Sequence, residues 1–116
     1  MSGPMGGHPL LDEVNPAELA LELEGQAPPM LVDVRTDMER QIATIEPSLH
    51  LDLSQFTERA PAEIPKDAEV EVYCHSGMRS AQAAMWLKAN GWSRARSLAG
   101  GIDEWSVVVD AEVPRY

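Results

Sequence analysis

A single cysteine, Cys74, lies at the junction between a short apolar run and a glycine-containing loop, within residues 72–84, which read VYCHSGMRSAQAA. A cysteine is a nucleophile only as the thiolate, so its neighbours decide whether it can react. Many unpaired cysteines are inert packing groups in protein cores. The position of Cys74 at a strand end, directly before a loop and a helix start, favours a reactive thiol instead.

The loop after the cysteine has the residue types that would stabilise a negative sulfur atom. Gly77 permits backbone conformations that other residues avoid, so the amides of residues 75–80 can curl around the sulfur. The start of the next helix, at Ser80, adds positive potential, and Arg79 supplies a full positive charge. All three effects favour the thiolate, and we therefore predict Cys74 as a catalytic nucleophile.

For the other loop residues, residue type allows more than one role. His75 could act as a general base, but adjacent residues in a curled loop point in different directions, which favours a role as a loop wall or in substrate access. Ser76 and Ser80 are interpreted as loop and N-cap hydroxyls, because no base is paired with them in a recognisable pattern. Met78, at the crown of the loop, could contact a partner or shield the sulfur. We place residues 75–80 in the substrate-binding loop.

Helices that could position this loop are marked by their caps. In residues 16–24, Asn15 suits the N-cap and Gly25 the stop, with Ala17, Leu21, Ala20 and Leu23 predicted toward the core. Residues 80–90 are alanine-rich and end at Asn-Gly, which predicts a second helix. A short helix is expected to begin at a Ser54 cap and to end near Pro61. A last one is expected in the run IDEWSVVV.

Predicted strands alternate with these helices. The nearly all-apolar run 30–34 indicates a strand buried on both faces, and residues 48–53 and 69–73 indicate two more. The run RSLAGG is expected to form a short strand that leads into a turn. Such alternation predicts an α/β fold with a central parallel sheet flanked by helices on both faces. Ligands of open α/β sheets bind at the carboxyl ends of the strands, where Cys74 lies.

Three ordered motifs resemble those of the rhodanese (thiosulfate sulfurtransferase) family. VYCHSGMRS and the alanine-rich helix resemble its active-site loop, and LVDVRTDMER resembles its first signature. LAGGIDEWS and the closing VDAEVPRY resemble its C-terminal part, so the resemblance covers about residues 15–116. The segment TIEPSLHLDL departs from the family pattern and concerns one wall of the pocket. The matching signature residues are Asp33, Val34, Arg35, Glu39, Gly100, Gly101 and Trp105.

The resemblance implies a single rhodanese domain and a two-step sulfur transfer without a cofactor. The Cys74 thiolate would take the sulfane sulfur of a small anionic donor such as thiosulfate, and the resulting persulfide would pass it to a thiophilic acceptor. Cyanide is the implied acceptor in assays, and a thiol or a sulfur-carrier protein the acceptor in the cell. Arg79 could pair with the leaving sulfite. Arg35 is expected to anchor structure beside the loop, with Asp33 or Glu39, or to contact the substrate.

Loop length separates this chemistry from that of related phosphatases. Cysteine-dependent phosphatases, some of which share the rhodanese fold, place five residues between cysteine and arginine and so cradle a tetrahedral phosphate. Only four residues separate Cys74 from Arg79. A shorter loop suits a single sulfur atom, so sulfur transfer is predicted and a phosphatase is the weaker alternative. The lack of a second cysteine also disfavours a self-resolving redox switch.

Composition limits the partners. The 116 residues carry a formal net charge of -10, which disfavours binding to nucleic acid or an anionic membrane. We expect residues 1–9 to form a flexible tail and residues 10–116 a single domain. No signal peptide or metal-ligand spacing is seen, which together with the lone cysteine predicts a cytoplasmic enzyme without a metal.

A second function class stays open at this point. The chain could be a persulfide carrier or interaction module of a sulfur relay, with thiosulfate turnover only incidental. An acidic face of the first predicted helix would then dock the partner protein. This face is formed by Glu18, Glu22 and Glu24.

Overall fold

Five parallel strands form the centre of the fold. The computed structural model describes residues 8–116, and within them the sheet has the strand order β1-β5-β4-β2-β3. All four pairings are parallel, and β4 is the middle strand. The strands are β1 (Glu13–Val14), β2 (Met30–Asp33), β3 (Leu49–His50), β4 (Val70–Tyr73) and β5 (Ala95–Leu98).

Helices cover both faces of this sheet, as predicted. They are α1 (Pro16–Leu23), α2 (Asp37–Ile42), α3 (Phe56–Glu63), α4 (Met78–Ala89) and α5 (Gly101–Val108). Side chains alternate between the two faces along each strand. Val32 and Val72 belong to one buried cluster with residues of α3 and α4, whereas Leu31 and Tyr73 belong to a second cluster with residues of α1 and α5. The predicted α/β architecture is confirmed.

The first helix has the predicted caps but turns a different side to the core. The Asn15 side chain accepts the Glu18 N–H, as an N-cap does. Leu19 is fully buried, whereas Ala17 is exposed and Leu21 is 72% exposed, so the prediction of these two as core residues is wrong. Helical spacing alone allows either side of α1 to face the core. The position of the sheet decides that the side with Leu19 is covered.

The helix predicted from Ser54 to Pro61 has different bounds. A 3-10 helix, Leu53–Gln55, comes first, and the Asp52 side chain caps it by accepting the Ser54 N–H. The α3 helix then continues past Pro61 to Glu63. A proline removes one backbone donor, but the turn after it still closes because the Ile64 N–H donates to the Ala60 carbonyl.

The helix that follows the cysteine loop, α4, begins two residues before the predicted position. Gly77 is its N-cap, so the assignment of Ser80 as the cap is wrong and Ser80 lies in the first turn. Two elements were not predicted: the two-residue β1 and the six-residue α2. The second had a readable signal, since Thr36 and Glu39 form a capping box in which each side chain bonds the other residue's backbone N–H.

The predicted tail, residues 1–9, lies outside the described residues up to Gly7. His8 and Pro9 are in a turn, in which the His8 carbonyl accepts the Leu11 N–H at 3.0 Å. Over residues 8–116, every helix is too short or too polar to cross a bilayer.

Candidate active site

Cys74 directly follows the middle strand of the sheet, at the carboxyl edge where ligands of such folds bind. The residue is only 1% exposed and packs with the core cluster beneath α4. The expectation of a reactive rather than buried cysteine is wrong about burial, and the reactivity of the thiol stays a prediction. Cys74 is buried, but its sulfur contacts polar groups of the loop.

The sulfur atom accepts hydrogen bonds from the loop backbone. The Gly77 N–H donates to Sγ at 3.1 Å and the Ser80 N–H at 3.3 Å, while the Ser80 hydroxyl lies 3.4 Å away. Ser80 is the third residue of α4, so the sulfur occupies the place of a side-chain N-cap. The partial positive charge of a twelve-residue helix is therefore directed at it, which favours negative charge on the sulfur.

Close packing of α5 against the loop holds the cysteine backbone. The Ile102 N–H donates to the Cys74 carbonyl at 2.9 Å, and the Asp103 N–H donates to the His75 carbonyl at 3.1 Å. Gly101 makes this approach possible: its φ is +62°, and a Cβ atom there would lie 2.3 Å from the His75 carbonyl oxygen. Gly101 thus lets the start of α5 pack directly against the backbone of the cysteine loop and hold it in place.

Asp33 and Arg35 form a buried ion pair beside the site. Arg35 donates to both carboxylate oxygens, at 2.9 and 2.8 Å, and also to the Ala43 carbonyl at 2.6 Å. Arg40 adds a second contact to Asp33 at 3.0 Å. Burial by itself would raise the pKa of Asp33, but the bonds from Arg35 and Arg40 outweigh it and hold that pKa below its ordinary value. Both members of the pair are fully buried, so Arg35 braces the structure behind the loop.

Arg79 is occupied by a carboxylate of α2. Its guanidinium donates to both oxygens of Glu39, at 2.7 and 2.9 Å. These bonds, against the opposing effect of burial, hold the pKa of Glu39 well below its usual range and raise the pKa of Arg79. The pair is therefore ionised near neutral pH, and the loop arginine offers no uncompensated charge to a small anion.

Tyr116 joins this network from the last segment of the sequence. Its hydroxyl accepts from Arg35 at 2.9 Å and donates to Glu39 at 2.8 Å. Burial, together with the bond to Glu39, raises the pKa of Tyr116 to about 12, so the phenol stays protonated. Its ring stacks on His75 with centroids 4.1 Å apart and planes 14° apart. This stacking places His75 as a wall of the loop.

The remaining loop residues face outward. Ser76 is exposed, and Met78 is 78% exposed at the start of α4. Within residues 8–116, the hydrogen bonds of the Cys74 sulfur involve Gly77 and Ser80 and neither of these two side chains. Over the same residues, no group of three His, Cys, Asp or Glu side chains is placed to hold a metal ion.

Ser97 of β5 lies next to the site, although no residue pattern predicted it there. It is fully buried, and its Oγ lies 2.7 Å from the Ser80 Oγ. A serine in a short strand carries no local signal of such a role. No local pattern predicted the contacts of Tyr116 either. Glu39 belongs to the first signature motif, but its bond to Arg79 was not predicted.

A family profile, a sequence relative and a solved structure match most of this chain. The profile described as Rhodanese-like domain matches residues 15–107. A sulfurtransferase of Allochromatium vinosum is 36% identical over 97 residues, which cover 84% of this chain and 90% of that protein. The crystal structure of a rhodanese-like domain protein from Staphylococcus aureus superposes with a TM-score of 0.78 at 25% identity, covering 91% of this chain and 99% of the other.

A larger relative contains the same unit as one part. The adenylyltransferase and sulfurtransferase MOCS3-2 of Zea mays is 34% identical over 95 residues, which cover 77% of this chain but only 20% of that protein. The chain thus spans about a fifth of that relative, whose name includes an activity beyond sulfur transfer.

Proposed function

Since the chain belongs to the rhodanese-like family of sulfurtransferases, we propose that it moves a sulfane sulfur from thiosulfate or a related donor to a thiophilic acceptor through a persulfide of Cys74. The observation that carries the proposal is the sulfur at the N-terminus of α4, with two backbone N–H donors within 3.3 Å. These fixed donors stabilise negative charge on sulfur, which both half-reactions require. Residues 10–116 are the proposed catalytic domain.

The first half-reaction transfers one sulfur atom to the enzyme. The Cys74 thiolate attacks the sulfane sulfur of thiosulfate, a new S–S bond forms, and the S–S bond of thiosulfate breaks. Sulfite leaves with the electron pair of that bond, and the enzyme holds the anionic persulfide. In the second half-reaction an acceptor such as cyanide attacks the outer sulfur, leaves as thiocyanate and restores the thiolate.

The surrounding residues have separate proposed tasks. The N–H groups of Gly77 and Ser80 stabilise the sulfur anion, and Ser80 adds its hydroxyl. Asp33 and Arg35 hold the sheet edge behind the loop. Both Nη atoms of Arg79 bond the Glu39 carboxylate, so the positive charge that Arg79 offers to the leaving sulfite is partly neutralised.

Intact-protein mass spectrometry tests the proposal. Reduced protein is incubated with thiosulfate, and we expect a gain of one sulfur atom that cyanide removes. The Cys74→Ala variant, which lacks the only thiol of the chain, should show no gain. An unchanged mass in the wild type, with the thiol still titratable by a small reagent, would contradict transfer from thiosulfate.

A second candidate is favoured by the Arg79–Glu39 pair. Because Glu39 neutralises the loop arginine, the site has weak attraction for a dianion such as thiosulfate, as a persulfide carrier in a protein relay would have. The prediction that Glu22 belongs to the acidic docking face of the first helix is wrong, because Glu22 is only 35% exposed and bonds Arg96 at 2.6 Å. Only Glu18 and Glu24 of that set are exposed and free for a partner's basic groups.

Steady-state kinetics separates the two candidates. Linear dependence of the rate on thiosulfate without saturation, together with fast transfer to a thiol-bearing protein acceptor, would favour the carrier. In Glu39→Gln, the loop arginine gains an uncompensated charge, so thiosulfate should saturate at lower concentration, by about five- to tenfold. An unchanged KM would show that this ion pair does not limit donor binding.

A further inference from the structure

A second hydroxyl group lies behind the one that contacts the catalytic sulfur. Ser97, in the middle of β5, is fully buried, and its Oγ is 2.7 Å from the Oγ of Ser80. Ser97 and Cys74 lie on the same face of the sheet, beneath the first turn of α4, since Cys74 packs there with Ala95, two residues before Ser97. The two serines and the cysteine sulfur thus form a chain of three polar groups.

The protons of this chain can be assigned by counting donors and acceptors. Each serine has one O–H to donate. Among residues 8–116, the Ser97 hydroxyl has a single hydrogen-bond partner, the Ser80 Oγ. The Ser80 Oγ has two more neighbours: the Gly77 carbonyl at 3.3 Å and the Cys74 Sγ at 3.4 Å.

Only one direction of the hydroxyl bond satisfies both groups. If Ser80 donated to Ser97, the buried O–H of Ser97 would have no acceptor, which is a costly arrangement. If Ser97 donates to Ser80, the O–H of Ser80 is free to bond the Gly77 carbonyl or the sulfur. A thiolate or persulfide anion is the stronger acceptor, so ionisation of Cys74 turns the Ser80 O–H toward the sulfur.

We propose that Ser97 is a positioning residue that orients the Ser80 hydroxyl so that its proton is available to the anionic sulfur of Cys74. This inference deepens the proposed function, and it rests on the same site. Ser97 does not touch the sulfur or a substrate. Its effect passes entirely through Ser80, and this dependence is what an experiment can test.

The experiment measures the rate of Cys74 alkylation by iodoacetamide as a function of pH. The chain has one cysteine, so the rate reports on this thiolate alone. Relative to wild type, Ser97→Ala should react about three- to tenfold more slowly near neutral pH, because the Ser80 hydroxyl no longer accepts a bond that polarises and orients its own O–H toward the anion, and the midpoint of its pH profile should move upward. A profile identical to that of the wild type would overturn the proposal.

A double-mutant cycle distinguishes positioning from a general structural effect. In the Ser80→Ala background, Ser97→Ala should change the profile no further, because the group that it orients is gone. Equal effects of Ser97→Ala in both backgrounds would overturn the proposal. Ser106→Ala is the matched control: Ser106 is a buried serine whose hydroxyl bonds the Ile102 carbonyl in α5, and its profile should stay as in wild type.

A second pair of variants covers the case in which Ser97→Ala folds poorly. Ser97→Thr keeps the hydroxyl and Ser97→Val replaces it by a methyl group, and both suit a strand. The threonine variant should keep the wild-type profile and the valine variant should show the shift, whereas equal profiles would overturn the proposal. Alkylation does not depend on sulfur transfer, so a failure to gain mass with thiosulfate would refute the proposed function and leave this test readable.

Discussion

Glu71 provides a quantitative test of the electrostatics of the core. It lies in the middle strand, is fully buried, and bonds Arg96 through one carboxylate oxygen. Its other oxygen has no hydrogen-bond partner among residues 8–116. Burial, with the nearby carboxylates Glu22 and Glu69, outweighs Arg96 and raises the pKa of Glu71 from 4.5 to about 7.

The raised pKa of Glu71 determines how strongly, and in which direction, the free energy of unfolding changes with pH. The folded state keeps a proton that the unfolded chain releases between pH 4.5 and about 7, so the free energy of unfolding falls as pH rises through this window and is level above it. Each pH unit in the window corresponds to about 1.4 kcal/mol. Keeping Glu71 buried and ionised therefore costs about 3 kcal/mol above neutral pH.

Glu71→Gln removes the titrating proton while keeping an oxygen for Arg96. Urea unfolding of wild type and variant at several pH values gives the difference between their free energies of unfolding. We expect this difference to change by about 2 to 3 kcal/mol between about pH 5 and pH 8, with the glutamine variant gaining as pH rises. Glu58→Gln, at an exposed position of α3, removes one carboxylate that does not act on Glu71, so it is the control and should follow the wild type.

Parallel pH profiles of wild type and Glu71→Gln would refute this reasoning. They would mean that Arg96 keeps Glu71 ionised across the whole range, so that its ion pair outweighs its burial. The same result would also remove any contribution of this residue to the pH dependence of folding.

Three further changes have defined outcomes in urea unfolding. Gly101→Ala places a Cβ 2.3 Å from a carbonyl oxygen at a φ of +62°, and should lower the free energy of unfolding by about 3 kcal/mol or more. Arg35→Met leaves Asp33 buried with a weaker set of partners and should cost about 3 kcal/mol, part of which Asp33→Asn in the same chain restores. Tyr116→Phe removes a hydroxyl that bonds Glu39 at 2.8 Å, and should cost about 1 kcal/mol; no change would mean that this segment does not hold the network.

Local sequence patterns were sufficient to predict much of the fold. Apolar runs, caps and glycines marked α1, the strands β2 and β4 and the start of the loop within a few residues of their observed positions. These signals act between near neighbours in the chain. The position of Cys74 at the carboxyl edge followed from them, because a strand that ends at a glycine loop before a helix leaves few other arrangements.

Element boundaries and faces depended on contacts between distant segments. Leu19 rather than Leu21 enters the core because the sheet lies on that side of α1. Likewise, β1 is a strand of two residues that exists because β5 lies beside it, through the pairing of Glu13 with Ser97 and Val14 with Leu98. Two residues carry no periodicity of their own, so no local pattern could predict them.

The residue types of the site were therefore determined by the sequence alone, and their partners by the tertiary structure. Cys74 and its loop followed from local residue types, and the Asp-Val-Arg motif from its resemblance to a family signature, since each belongs to one short segment. The pairing of Arg79 with Glu39 and the bond between Ser80 and Ser97 join residues 40 and 17 positions apart. Such contacts form only when strands and helices pack, and they decide the charge at the site and the orientation of its hydroxyl groups.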